Sequence, residues 1–500
     1  MRIALVSPKW NQMVNSYPPL GLGYLAAVME AEGHTVTILD LGLHPDTSLE
    51  QDLERLISFQ PDLMGVTAMT NNYHSAERIL ALVKARIGCV TVLGGPHATI
   101  FPDRVIADPN IDYVIYGEGE ETLRDLTRVI ASKAQPDEAT LRGIAGLCFK
   151  VDGQPTLNPP RPLIRDLDAL PMPARHLFEL ERYPLYTPSG ERMVTLLSSR
   201  GCPYNCSYCF KGIVGRTYRQ RSPESIIAEL HHLKDTYGYR HFYFIDDLFT
   251  LDRRRLTALT TRMIEEKLDI RWQCLARVDR VTLDLLQLMY RAGCREVHYG
   301  IESGNAEILQ ALGKEITHDQ VRRAVAWTAQ AGIMAKGYFM LGLPGDTEET
   351  MQQTIQFASE LELDQAMFSL TTPFPGTRLW DELVARQPDV VFNRDFSQAF
   401  YYANYDNPVK PFFNVSQVSD ERLTALAAEA QTRFQESKRR RKYVRAFGSA
   451  VGQFMYNLSR WRGIRRAAHR LLNTRLLRSL RGATQIGEYD AKKEYSQRWN

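Results

Sequence analysis

Cysteine is scarce in this 500-residue chain: there are seven (Cys89, Cys148, Cys202, Cys206, Cys209, Cys274 and Cys294), an odd number. The opening MRIALVSPKW breaks at Ser7 and Pro8, too early for the apolar core of a signal peptide, and reads as a first strand. With no export signal expected, a disulfide framework is not the expected organising principle. No uncharged apolar run reaches the ~18 residues that a membrane span requires, so a cytoplasmic location is expected. No short-period repeat is present, which argues against a solenoid. No G-x-G-x-x-G follows the first strand, so the usual dinucleotide fingerprint is missing.

What is there is an alternation of strand-like and helix-like patterns, and the length calls for two or three domains. Over residues 1–135 five β-branched runs end in small or polar residues, with amphipathic stretches between them, predicting a doubly wound parallel α/β sheet. Residues 136–190 are rich in proline and read as a linker with some short strands. A second series of six β/α units over 191–390 predicts a full or partial barrel. Residues 391–500 read as helical. One helix start is explicit: Ser222 as cap, Pro223 in the first turn and Gly238 as stop.

Three of the seven cysteines crowd into Gly201-Cys-Pro-Tyr-Asn-Cys-Ser-Tyr-Cys-Phe210, directly after the first strand of the second series. Structural zinc prefers four Cys/His ligands, and this loop offers three, with Cys274 or Cys294 as remote candidates for a fourth. Three thiolates suit a cubane iron–sulfur cluster whose fourth iron stays open to a small molecule. Zinc and chance remain as alternatives to that reading.

The C-x3-C-x2-C loop, with Tyr208 between the last two cysteines, resembles the signature of the radical S-adenosylmethionine (SAM) superfamily. The resemblance implies a [4Fe-4S] cluster on Cys202, Cys206 and Cys209, with SAM on the open iron, cleaved by an external one-electron reductant to a 5′-deoxyadenosyl radical. It also implies SAM contacts at the carboxyl ends of the barrel strands, where reactive groups of such folds sit. The residues in those positions are Tyr208, Asp246 and Asp247, Arg277, Glu302 and Ser303, Gly342 and Pro344, and Pro373. Asp246-Asp247 departs from the superfamily's Gly-Gly-Glu-like segment. For any one of Asp246, Arg277 or Glu302, an ordinary cap or ion pair is an equal reading.

In the first domain, Pro19-Leu20-Gly21, then Gly94-Gly95-Pro96-His97, then Gly117-Glu118-Gly119-Glu120 resemble the cobalamin-binding domain fused to one large class of radical SAM enzymes. With the barrel, the resemblance spans roughly residues 1–390. It implies cobalamin held by these residues together with Thr70. The D-x-H-x-x-G motif that supplies a lower cobalt ligand in many cobalamin proteins is absent, and His97 is expected as a loop or tail contact. The rival is a sheet that has lost the cofactor and serves as a scaffold.

Charge is unevenly spread. Residues 438–500 hold 17 Lys/Arg against 3 Asp/Glu, while residues 1–437 hold 44 against 55. Phe454, Leu458, Trp461, Ile464, Ala468 and Leu472 recur at helical spacing, with Arg462, Arg466 and Arg470 elsewhere on the helix. Packing on the barrel and peripheral contact with an anionic membrane surface are both compatible with this tail. Nucleic acid is disfavoured, because no aromatic-interleaved groove or recognised module accompanies the charge. The family resemblance implies methylation of an unactivated carbon of a small-molecule or lipid-like substrate, with radical ring formation or rearrangement, as in tetrapyrrole cyclases, as the alternative. A non-catalytic cobalamin or iron–sulfur sensor is the reading from another class, and the SAM-type strand ends argue against it.

Overall fold

The computed structural model describes residues 1–10, 15–132, 136–187, 189–387, 395–399 and 410–460. The first sheet contains β1 (Arg2–Ser7), β2 (Thr35–Asp40), β3 (Leu63–Thr67), β4 (Val90–Gly94), β5 (Tyr113–Ile115), β6 (Leu147–Val151) and β7 (Gln154–Leu157), in the order β2-β1-β3-β4-β5-β6-β7. The pairs from β2 through β5 are parallel, as expected from the alternation. Side chains alternate across the sheet: Ile3 and Leu5 pack with Leu22 and Ala26 of the helix Leu20–Ala31, whereas Ala4 and Val6 pack with Ala76 and Ile79 of the helix Tyr73–Arg86. Both faces are covered, which is why these strands read as continuous apolar runs.

The last two strands fall inside the stretch expected to be linker. They form an antiparallel hairpin on the sheet edge, closed by Asp152 at φ 49° and Gly153 at φ 76°. Asp-Gly with both residues left-handed is the turn that matches strand twist, and that dipeptide was the local signal for it.

The second sheet is all parallel and six-stranded: β8 (Met193–Leu196), β11 (His241–Phe244), β12 (Arg271–Ala276), β13 (Cys294–Glu302), β14 (Met334–Leu341) and β15 (Gln365–Leu370), in that spatial order. A two-stranded ribbon, β9 (Ser199–Arg200) with β10 (Arg219–Gln220), rises from the end of β8. β8 does not pair with β15, so this is the open, partial form of the barrel. The helix Pro223–Tyr237 starts as read: the Ser222 side chain accepts the Ser225 N–H and Gly238 ends it at φ 75°.

Beyond the barrel, the helix Asp420–Phe447 buries Leu423, Leu426, Ala427, Ala430 and Phe434 at three- and four-residue spacing. Each large apolar side chain so buried contributes roughly 1.5–3 kcal/mol, enough to dock the helix firmly. A shorter helix, Ser449–Ser459, follows. Of the apolar stripe expected over 454–472, Phe454 and Leu458 lie in it, and Trp461, Ile464, Ala468 and Leu472 lie outside the described residues. No helix among the described residues is long and apolar enough to cross a membrane.

Candidate active site

The cysteine loop depends on Gly201. Its φ is +85°, and a Cβ there would stand 2.3 Å from the Thr217 carbonyl oxygen, so no side chain fits where the chain turns towards Cys202. The loop is stitched across the carboxyl ends of the strands: Ser207 N donates to Leu312 O (2.9 Å), and Leu379 N donates to Ser207 O (3.0 Å). Cys202 is buried, Cys206 and Cys209 are half-buried, and all seven cysteines are free thiols. Cys274 and Cys294, the remote candidates for a fourth ligand, are wholly buried in the core among the strands. Among the described residues no three His, Cys, Asp or Glu side chains converge on one metal ion. Donors to separate irons of a cluster need not converge in that way, whereas ligands of a tetrahedral zinc must. Burial pushes the Cys209 thiol up to about 12, against the pull of Lys211.

Beside the loop, β13 ends in a bulge between Gly300 and Glu302. Glu302 is left-handed at φ 70°, a conformation that costs a non-glycine residue energy and is kept where the surroundings over-determine it. The result aims its carboxylate at the loop: Glu302 Oε1 accepts from Tyr208 Oη (2.9 Å) and Lys314 Nζ (2.8 Å), and Lys314 Nζ also donates to Tyr208 Oη (3.1 Å). Burial, with Glu302 alongside, holds the Tyr208 phenol well above its usual value, so it remains a donor. Sequence reasoning named Tyr208 and Glu302 but missed Lys314, which follows a helix stop with no motif to mark it.

Several other expected SAM contacts are committed to the protein itself. Asp246 is fully buried and accepts from Ser198 N (2.7 Å) and Ser199 Oγ (2.6 Å). Burial raises its pKa against the opposing pull of Arg255. Its carboxylate therefore braces the end of β8, whereas Asp247 is exposed. Arg277 lies 3.5 Å from the centroid of the Tyr204 ring and donates to Asp279 Oδ1 (2.9 Å) and Lys314 O (2.9 Å), which fixes the loop carrying Lys314. Ser303 is buried against Thr354 (3.2 Å). Gly342, at φ +80°, leaves room for Leu423 of the C-terminal helix, 2.8 Å from where its Cβ would stand. Pro344 is half-buried in the same turn, and Pro373 is buried after β15.

At the carboxyl edge of the first sheet, a Cβ added at Gly21 or Gly117 would meet nothing within 4 Å, and at Gly94 only Ile115 O at 3.6 Å. The buried Asn71 Oδ1 has no hydrogen-bond partner among the described residues. An open, glycine-edged shelf with a spare acceptor fits a broad amide-bearing macrocycle such as cobalamin. Pro19 precedes the first helix, while Leu20 is buried in it. Gly95 and Pro96 turn the chain after β4. His97 stacks on Tyr73 (centroids 4.0 Å apart), meets Thr70 Oγ1 through Nδ1 (3.2 Å), and is pulled down to about 4 by burial.

Glu118 and Glu120 do something the motif did not announce. Glu118 accepts from Arg200 Nη1 (2.9 Å) and Arg219 Nη1 (2.8 Å), and Glu120 accepts from Arg200 Nη2 (2.6 Å), all four side chains being buried. Arg200 and Arg219 face each other across the ribbon β9–β10. The two carboxylates expected at cobalamin therefore join the first domain to the strand that enters the cysteine loop, and of the motif's two glycines Gly117 stands open. Two arginines flanking a cysteine loop, matched to two glutamates in one motif, were a readable charge complement.

Residues 11–127 match the B12 binding domain family, and residues 196–358 match the radical SAM superfamily. An uncharacterized methyltransferase of Pyrococcus horikoshii is 34% identical over 442 residues, covering 87% of this chain and 92% of the relative. The anaerobic magnesium-protoporphyrin IX monomethyl ester cyclase of Rubrivivax gelatinosus is 31% identical over 392 residues, covering 77% of this chain and 70% of the relative. The radical SAM methyltransferase TsrM of Kitasatospora setae, solved with cobalamin and a [4Fe-4S] cluster bound, has a similar fold (TM-score 0.66, 22% identity, 78% of each chain).

Proposed function

The chain belongs to the radical SAM enzymes that carry a B12 binding domain, and from that premise we propose that it methylates an unactivated carbon of a small-molecule or lipid-like substrate, drawing electrons from an external one-electron reductant. When bound, the cluster with SAM supplies a hydrogen-abstracting adenosyl radical, and cobalamin supplies a transferable methyl group. Cys202, Cys206 and Cys209 hold the cluster. Tyr208, Asp247, Glu302 and Lys314 would orient SAM, and the shelf of Gly21, Gly94 and Gly117 would carry the corrin, with Gly95 packed against Thr67 and Ala68 at its edge. One observation carries the reading: the four-charge Glu118–Glu120–Arg200–Arg219 network locks the glycine-edged shelf against the cysteine loop. Two cofactors that must act on one carbon in succession need such fixed proximity.

Anaerobic reconstitution with iron, sulfide, cobalamin, SAM and dithionite tests the assignment. 5′-Deoxyadenosine and S-adenosylhomocysteine should form together, because one SAM is cleaved and a second gives up its methyl group. No deoxyadenosine under any reductant would overturn the radical chemistry. Deoxyadenosine without S-adenosylhomocysteine would favour ring formation, the activity named for the cyclase relative.

The basic C-terminal region is a contact for anionic membrane surfaces in this reading. What supports it is the exposure of Phe447 (51%), Val451 (55%) and Phe454 (61%) just beyond the Lys438–Lys442 basic run. Each basic residue near such a surface contributes about 1 kcal/mol. The protein should pellet with phosphatidylglycerol vesicles and not with phosphatidylcholine vesicles, and Val451→Ser with Phe454→Ser should lower the pelleted fraction at least threefold. Equal pelleting with both lipids, or none with either, counts against the contact.

A further inference from the structure

The inward face of the second sheet holds a polar group that the cofactors leave unused. In register, Tyr243 of β11, Glu296 and His298 of β13, and Lys336 and Tyr338 of β14 lie on one face, two or more residues below Glu302 and the cysteine loop. Tyr243, Lys336 and Tyr338 are half-buried while their strand neighbours, packed under the helices, are fully buried. This face therefore opens on an interior space.

The hydrogen bonds here can be followed atom by atom. His298 Nε2 lies 2.8 Å from Glu296 Oε1 and must carry the proton, since an ionised carboxylate only accepts. His298 Nδ1 is then the acceptor, with Tyr338 Oη at 3.1 Å and Tyr243 Oη at 3.4 Å. One lone pair takes one donor well. Tyr338 is the nearer, so Tyr243, at 3.4 Å, holds His298 the more weakly and is the O–H that can turn to a ligand. Lys336 Nζ has no hydrogen-bond acceptor among the described residues. It stands 5.3 Å from the centroid of the Tyr338 ring, and no carboxylate of the described residues lies within ion-pair distance of it. A ring face offsets only part of what burying an ammonium costs. Burial pulls the Lys336 pKa down, and Glu296 opposes that pull. Burial also keeps the Tyr243 phenol protonated.

Lys336 is thus an ammonium with donors to spare and no acceptor among the described residues, and the Tyr243 hydroxyl beside His298 can donate as well. We propose that Lys336 and Tyr243 form an oxyanion subsite that holds a carboxylate or phosphoryl group of the substrate inside the barrel, with His298 and Glu296 orienting the tyrosines. Anchoring there would direct the rest of the substrate up the barrel towards the cysteine loop, and the subsite rests on the barrel being the substrate chamber of the proposed reaction.

The test is calorimetric titration of the reconstituted holoenzyme, saturated with SAM and cobalamin and without reductant, using phenyl phosphate, benzoate and neutral benzamide. At least one anion should bind ten-fold or more tightly than benzamide, and which one identifies the group. Lys336→Met should weaken that binding at least ten-fold, Lys336→Arg less than about three-fold, and Tyr243→Phe several-fold. Anions that bind no better than benzamide, or binding indifferent to both Lys336→Met and Tyr243→Phe, would overturn the subsite. Deoxyadenosine formation by the unaltered protein is measured separately. Loss of the radical chemistry therefore leaves the anion result readable, and the reverse holds too.

Discussion

Cys206→Ala protein reconstituted with iron and sulfide will form no more than a thousandth of the 5′-deoxyadenosine that the unaltered enzyme forms, equivalent to about 4 kcal/mol or more of lost transition-state stabilisation. With three protein ligands, one iron of a bound cluster would be open. Removing the Cys206 thiolate would open a second, leaving the cluster both less firmly held and no longer selective for SAM at one position. Iron content should fall from about four per chain towards one or none. The fold should survive, because Cys206 is half-buried and its thiol makes only a 3.8 Å contact with Gly313 O. Melting should therefore move by a few degrees at most, and cobalamin should still be retained on the separate shelf. Cys202→Ala and Cys209→Ala should behave alike. Cys294→Ala is the contrast: it lies in the core, so it should lose stability and keep its iron. Full iron content and turnover in Cys206→Ala would remove the cluster assignment.

Glu118→Ala should cost about 3–5 kcal/mol in stability, the range for breaking a buried ion pair from one side. Glu118 is shared by Arg200 and Arg219, so among the described residues its loss leaves Arg219 hydrogen-bonded only to the Ile164 and Val214 carbonyls and Arg200 with Glu120 and the Tyr24 ring. Glu118 also accepts the Ile164 N–H (2.9 Å), so the connection between the two sheets loosens as well. Because β9 ends one residue before Gly201, the damage should reach the cysteine loop. Deoxyadenosine formation should fall, and proteolysis near Ile164 should become easier. Glu118→Ala with Arg219→Met should recover part of the stability, since the buried charges are balanced again, and the cycle measures the coupling directly. A stability change under about 0.5 kcal/mol for Glu118→Ala would show that the network does not hold the domains.

Much of the architecture was legible because its signals are local. The eleven parallel strands follow from β-branched runs, the helix after Ser222 from its cap and stop, and the cluster loop from three cysteines in eight residues. Short strands were expected between 136 and 190, but the prolines there masked the Asp-Gly turn that pairs two of them as an edge hairpin. The site was legible only in part. Tyr208 and Glu302 carried a motif, whereas Lys314 reaches them only because Arg277 pins its loop. His298 and Lys336 looked like ordinary strand residues, since alternation says which face a side chain takes but not what stands opposite.

By itself the sequence determined the order of the two sheets, the cofactor loop and the glycine-edged strand ends, because each depends on residues close together in the chain. Tertiary structure alone decided how the charges were spent: Asp246 on Ser198 and Ser199, Glu118 and Glu120 on Arg200 and Arg219, and Lys336 on no acceptor among the described residues. The reason is physical. A strand or a turn is set by neighbours along the backbone. The partner of a buried charge is set by which distant segments the hydrophobic core brings within about 3 Å, and no local pattern encodes that distance.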